Sequence, residues 1–188
     1  MATDKPNMSL AIETQPEPEQ SIKSPSESEL KLYKEWTLYA HLPHDTDWTI
    51  DSYKPITTIS SVQQAIAICE IIPDTMVKNC MLFLMRSGIK PMWEDPKNKN
   101  GGCFSYKVSN KQVAKAWKNL CFHLMGETIS KDNAVLLNIT GATISPKKNF
   151  CIIKIWMTDC SIQATTKINT VTCLDKQGVI FKRHNPVY

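Results

Sequence analysis

Apolar and polar positions alternate along LKLYKEWTLYAH, residues 30–41, which predicts a first strand, and order is expected to begin near Leu30. Behind Ser60 and Gln63, which have capping-box spacing, Val62, Ala65, Ile66 and Cys69 recur at helical intervals and predict helix one. The run CMLFLMRSGI, residues 80–89, is too short to span a membrane and ends in Ser87-Gly88, so it reads as a buried strand followed by a turn. FSYKV, residues 104–108, alternates and is expected to be its antiparallel neighbour. Asn110 can cap a second helix, in which Val113, Ala116, Trp117, Leu120, Cys121 and Leu124 form one apolar stripe stopped by Gly126. AVLLNI, residues 134–139, and FCIIKIWM, residues 150–157, read as strands joined by the loop TGATISPKKN. A third helix is expected from Ser161 to about Thr172 behind Asp159, and GVIFKR, residues 178–183, supplies the last strand.

Many short strands, three helices and no strand-helix-strand alternation predict an α+β domain built on a single antiparallel sheet. The helices cover one face, which leaves the other free to curve around a ligand. Residues 1–29 have a different character, with four prolines, no aromatic residue and six acids against two lysines. They are expected to form a disordered tail ahead of a domain spanning 30–188. Of the chain's 22 basic and 18 acidic side chains, 20 and 12 then fall in the domain, which is near +8. That charge suits an anionic ligand or a merely soluble surface. Seven cysteines without a CxxC pair read as reduced thiols rather than as disulfides or a zinc site. With no apolar segment long enough for a membrane and no signal-peptide core at the start, a cytoplasmic or nuclear location is expected.

The five tryptophans divide into two groups. Trp36 and Trp117 lie on apolar faces and are assigned to packing. Trp48, in HDTDWTID, and Trp93, in PMWEDP, lie in polar loops; each is either a contact surface or a ring folded over the edge of the core. Trp156 ends a strand in which Cys151, Ile153 and Ile155 point inward while Ile152, Lys154 and Trp156 share the outward face. Two exposed indoles can sandwich a planar base, and Glu94 beside one of them can accept the N1–H and exocyclic amine of guanine as a charge-assisted pair. No glycine-rich cofactor loop, HExxH or GxSxG is present and the four histidines are scattered, so neither an enzyme nor a resident cofactor or metal is expected.

MWEDPKNKNGG (residues 92–102), KIWMTDC (154–160) and LMGE (124–127) together resemble the eukaryotic translation initiation factor 4E family, over about residues 32–184. The resemblance implies a curved sheet with three helices on its convex face and a slot for the 7-methylguanosine cap of mRNA on its concave face. In that slot Trp48 and Trp93 match the stacking pair, Glu94 the base-reading carboxylate and Trp156 the tryptophan near the methyl group; the Trp93 amide would donate to the guanine carbonyl. Cys103 stands where the family has an arginine, Phe104 where it has a tryptophan, and Ile152 where it has a phosphate-binding lysine. Lys154, Lys147 and Lys148 are substitutes for the phosphate contacts, or solvated surface charges.

On the convex face, Val62 is kept from the family's partner-binding surface. Ile66 replaces its tryptophan, Lys118-Asn119 replaces a leucine-glutamate pair, and Phe122 lies one turn further on. The implied function is cap binding in translation initiation, through a divergent scaffold protein of the initiation factor 4G type. The alternative is a decoy that sequesters capped mRNA without recruiting a scaffold.

Overall fold

The computed structural model describes residues 29–184. The expected tail therefore lies outside the described residues, apart from Glu29, whose carboxylate accepts a 2.6 Å hydrogen bond from the Ser61 hydroxyl. Seven strands, β1 (Lys31–His41), β2 (Tyr53–Ser61), β3 (Met81–Arg86), β4 (Gly102–Ser109), β5 (Ile139–Pro146), β6 (Phe150–Met157) and β7 (Ile180–Arg183), form one antiparallel sheet in the order β2-β1-β3-β5-β6-β4-β7. Four helices accompany it rather than three: α1 (Val62–Ile71), α2 (Asp74–Asn79), α3 (Val113–Met125) and α4 (Asn133–Asn138).

Strand alternation divides the buried residues between two faces. Trp36, Leu38, Leu82, Leu84, Ile144, Ile153 and Ile155 join the helices' apolar stripes in the main core, which includes Trp117, Leu120 and Leu124 of α3. Phe83, Met85, Cys103 and Trp156 form a smaller cluster of their own, with Tyr39, Tyr53, Met81 and Ile89 packed against it. Opposed residues of an antiparallel pair share a face, and Phe83 is paired with Tyr39 while Cys103 is paired with Trp156. The second cluster therefore floors the side of the sheet away from the main core. β3 is apolar on both faces, which accounts for the unbroken run MLFLM.

The α3 stripe and its end at Gly126 are as expected, but Gln112 rather than Asn110 precedes the helix; the Asn110 side chain instead accepts from the Cys151 thiol. α1 starts one residue later than its capping box suggests, with Ser61 accepting from the Gln64 amide and Gln64 accepting from the Ser60 amide.

Three expectations are overturned. Residues 134–138 are helical, capped by Asp132, which accepts from the Ala134 amide at 3.0 Å, and the strand is Ile139–Pro146, of which residues 140–146 were expected to be loop. A short apolar run fits a buried strand or a buried helix equally, and here the aspartate cap decides. FSYKV lies in β4, which pairs with β6 and β7 and not with β3. Residues 161–172 hold only a 3₁₀ turn, Thr165–Lys167. Their β-branched content disfavours a helix, and Asp159 instead accepts from the Ser161 amide at 2.8 Å, closing a local turn.

Candidate functional site

Trp48 follows β1 in a loop built on aspartate turns. The Asp47 carboxylate accepts from the Thr49 amide and hydroxyl, both at 2.8 Å, and these bonds hold it below the usual carboxylate range. The Asp47 carbonyl accepts from His41 Nε2 at 2.8 Å, which fixes the imidazole at the end of β1. His41 then stacks on Trp48 with ring centroids 4.1 Å apart and planes 8° from parallel. One face of the indole is thereby backed by a buried ring, while the residue as a whole remains 52% exposed. Tyr53, the first residue of β2, stands edge-on to Trp48 at 6.4 Å, to His41 at 5.4 Å and to Phe83 at 5.1 Å.

Trp93 and Glu94 are exposed on the loop between β3 and β4, with Trp93 at 43%. Two buried polar side chains shape that loop. Asp95 accepts from the Lys90 and Lys97 amides at 3.0 and 2.8 Å; Asn98 donates to the Lys90 and Met92 carbonyls at 3.1 and 2.8 Å. Thr158 donates to the Lys97 carbonyl at 2.7 Å and so ties the loop to the end of β6. The double glycine then squeezes between neighbours: a side chain on Gly101 would overlap the Met157 carbonyl, and one on Gly102 would meet the Phe181 ring. The Asp, Asn and Gly positions of DPKNKNGG thus build the loop that displays Trp93 and Glu94.

Burial, and after it the negative charge of Glu94, raises the Tyr53 hydroxyl above its ordinary pKa. Trp156 faces the same side, as its alternation requires, but it is floor rather than free patch: 7% exposed, within the cluster of Phe83, Met85 and Cys103. His184 packs over it at 4.5 Å and 44°. Burial, and then the nearby charge of Lys154, lowers the His184 pKa to about 4, against a backbone hydrogen bond at Gly102 that acts the other way, so the ring is neutral at pH 7.

Strand register also places the lysines. Lys154 lies on the face of Trp156, opposite Thr143 and Ser105, while Lys182 lies opposite Cys103 in the row that contains Trp156. Lys147 and Lys148 are exposed in the hairpin after β5, at the other end of β6 from Trp156, and so stand apart from the residues gathered around Tyr53. On the helical side, Val62, Lys118, Asn119 and Phe122 are partly buried on α1 and α3, and Ile66 is half exposed. Lys118 is paired with Glu70, bridging the two helices.

Sequence reasoning missed His41, Tyr53, Phe83, His184 and Lys182. His41 and Tyr53 sit at strand ends, where alternation carries little weight. Phe83 was hidden in an apolar run that reads as core on both sides, and the position of Lys182 depends on a pairing that no local pattern specifies.

A family model described as eukaryotic initiation factor 4E matches residues 31–186. Among curated relatives, a protein of Acanthamoeba polyphaga mimivirus named eukaryotic translation initiation factor 4E homolog is 30% identical over 139 residues, 66% of this chain and 51% of the viral protein. Eukaryotic translation initiation factor 4E-2 of Schizosaccharomyces pombe is 28% identical over 158 residues, 80% of this chain and 60% of the yeast protein. The chain thus spans between half and two thirds of the length of these relatives. The fold matches that of schistosome eIF4E solved with m7GpppG and 4E-BP, with a TM-score of 0.65 at 23% identity over 72% of this chain and 75% of that one. It also matches Ascaris suum eIF4E-3 solved with an m2,2,7G cap, with a TM-score of 0.62 at 23% identity over 71% and 76%. With its sheet, its MWED loop and nearly all of its described length accounted for in this way, the chain belongs to the eukaryotic initiation factor 4E family.

Proposed function

We propose that the chain binds the 7-methylguanosine cap of mRNA between Trp48 and Trp93 and acts in translation initiation. The observation that carries this reading is Trp48 clamped on His41 by one face yet exposed overall, in a chain whose other loop indole, Trp93, is exposed beside Glu94. Methylation gives the base a fixed positive charge, and each indole face adds a cation–π attraction of up to about 2 kcal/mol once water is excluded. The Glu94 carboxylate accepts from N1–H and the exocyclic amine, and the Trp93 amide donates to the guanine carbonyl. Trp156 and His184 close the floor on the side of the methyl group. Lys154 and Lys182 supply the phosphate contacts that Cys103 and Ile152 cannot make.

A partner docks on the helical side. Beside Val62, a cavity of about 590 Å³ lined by Leu32, Tyr33, Met125, Leu136 and Leu137 offers an apolar anchor site. Solved relatives carry 4E-binding proteins, among them 4E-BP and Mextli. Here Ile66 and the Lys118–Glu70 pair alter the neighbouring surface, so the scaffold is expected to be one matched to this chain. That alteration is also what favours the second reading, a decoy that holds capped mRNA without a scaffold.

Retention on m7GTP resin tests the slot: wild type is expected to bind and to elute with free m7GTP but not with GTP, while Trp48→Ala and Glu94→Ala flow through. Retention of both variants overturns the reading. A scaffold-like protein recovered with the resin-bound chain supports the initiation role, and recovery of RNA alone supports the decoy.

A further inference from the structure

Two cysteines meet where α1 packs on α3. The ion pair between Glu70 of α1 and Lys118 of α3 sets the two helices in register. Cys69 directly precedes Glu70, and Cys121 follows Lys118 by three residues, which puts it on the same face of its helix. Cys69 packs against the core cluster to which Cys121 belongs. The two thiols hydrogen-bond to each other, and both are free.

The pair is open on one side. A cavity of about 340 Å³ between α1, α2 and α3 is lined by Cys69, Ile72 and Trp117 and by three lysines, Lys111, Lys115 and Lys118. Cys69 is partly exposed there, while Cys121 is buried behind it. The lining also holds two carboxylates, but Glu70 is engaged by Lys118 and Asp74 by Lys78, which leaves the charge of Lys111 and Lys115 in excess. An anionic sulfur is favoured in such a place. The hydrogen bond with Cys121 lowers the Cys69 pKa; burial and Glu70 act against it, and the charge of Lys118 acts with it. Burial pushes the Cys121 thiol well up. One sulfur is thus a ready nucleophile, with a protonated thiol beside it.

We propose that Cys69 is an oxidation site and Cys121 its resolving partner, so that a peroxide converts the pair into a disulfide linking α1 to α3. The Cys69 thiolate attacks one peroxide oxygen and breaks the O–O bond. Its sulfur is oxidised to a sulfenic acid, and the other oxygen leaves as hydroxide and takes a proton to become water. The Cys121 sulfur then displaces the hydroxyl from Cys69, its own proton departing with that hydroxyl as a second water. Sulfurs in a disulfide lie about 2.05 Å apart, and hydrogen-bonded thiols reach that separation by small side-chain rotations. The bond pins together the helix that carries Val62 and Ile66 and the helix that carries Lys118 and Phe122, and it leaves the opposite face of the sheet untouched. The chemistry is independent of cap binding.

The test treats the reduced full chain with hydrogen peroxide, blocks the remaining thiols by alkylation and maps the peptides by mass spectrometry. Wild type is expected to give one crosslinked peptide pair holding Cys69 and Cys121. Cys69 is expected to react at least about tenfold faster at pH 7 than Cys80, Cys160 or Cys173, the other partly exposed thiols. Cys69→Ser is expected to give no crosslink, and Cys121→Ala to stop at a sulfenic acid on Cys69 that dimedone traps. Lys118→Ala is expected to move the rate of Cys69 oxidation to higher pH, which a mere packing contact would not do. A crosslink that maps to other cysteines, or a Cys69 that stays as open to alkylation as Cys160 after peroxide, overturns the proposal; the wild-type map decides this even if Cys121→Ala fails to fold. Retention on m7GTP resin is read on the same samples. Equal retention before and after oxidation supports a link confined to the helical side, and loss only after oxidation overturns it. Absence of retention in both states, with the crosslink formed, sinks the slot and leaves the thiol pair standing.

Discussion

His41 decides whether Trp48 is a usable plate or a loose ring. It anchors to the Asp47 carbonyl and stacks within 4.1 Å, so the indole does not have to be ordered when a ligand arrives. His41→Ala is therefore expected to weaken m7GTP binding by about 0.5–1.5 kcal/mol, the worth of an aromatic pair, measured by fluorescence titration, with little change in thermal stability. His184 carries a pH signature. Its folded pKa, near 4, lies below the value of about 6.5 expected when unfolded, so at acid pH the unfolded chain takes up the proton first. The stability this neutral ring contributes is present above pH 6.5 and is lost as pH falls toward 4. Melting temperatures measured between pH 7 and 4.5 are expected to drop less steeply in His184→Gln than in wild type. The exposed tryptophans and Glu94 were legible in the sequence because an indole in a polar loop is conspicuous. Their supporting rings were not, since a histidine or tyrosine at a strand end has no periodic signature.

Arg86 and Glu127 join three elements at once. Arg86, the last residue of β3, donates to both Glu127 oxygens at 2.7 and 3.0 Å, to the Leu136 carbonyl of α4 and to the Ile139 carbonyl that opens β5, and it lies 4.7 Å over the Trp36 ring. Both charged side chains are largely buried, at 16% and 17% exposure. Glu127→Ala strands the guanidinium and is expected to cost about 3–5 kcal/mol in chemical denaturation. A cost below about 1 kcal/mol, the worth of a surface pair, would contradict that role. The same junction marks the limit of element prediction. The α3 stripe, with seven residues buried across more than three turns, was legible from spacing alone. The exchange of strand and helix around residue 139 was not, because AVLLN fits either state and the small residues of TGATIS show their alternation only once β3 and β6 lie on both sides of them.

At the scale of the whole molecule, one antiparallel sheet with helices on a single face was readable from the number and order of the segments. The strand order was not, since β4 lies three places from β3 in the sheet, joined by the loop that carries Trp93 and Glu94. That loop exposes Trp93 and Glu94, while β6 places Trp156 in the cluster of Phe83, Met85 and Cys103. The proposed slot draws on parts distant in sequence: Trp48 after β1, Trp93 and Glu94 between β3 and β4, and Trp156 on β6. Its defining property is discrimination between two ligands that differ by one methyl group and the charge that group fixes. Quenching of tryptophan fluorescence by m7GTP and by GTP, titrated in parallel on the wild-type chain, measures this directly. Binding of m7GTP at least about tenfold tighter, or 1.4 kcal/mol, is expected from stacking against a cationic base. Equal affinities would mean that the indoles do not sense the charge of the base, and the two-tryptophan slot would fall.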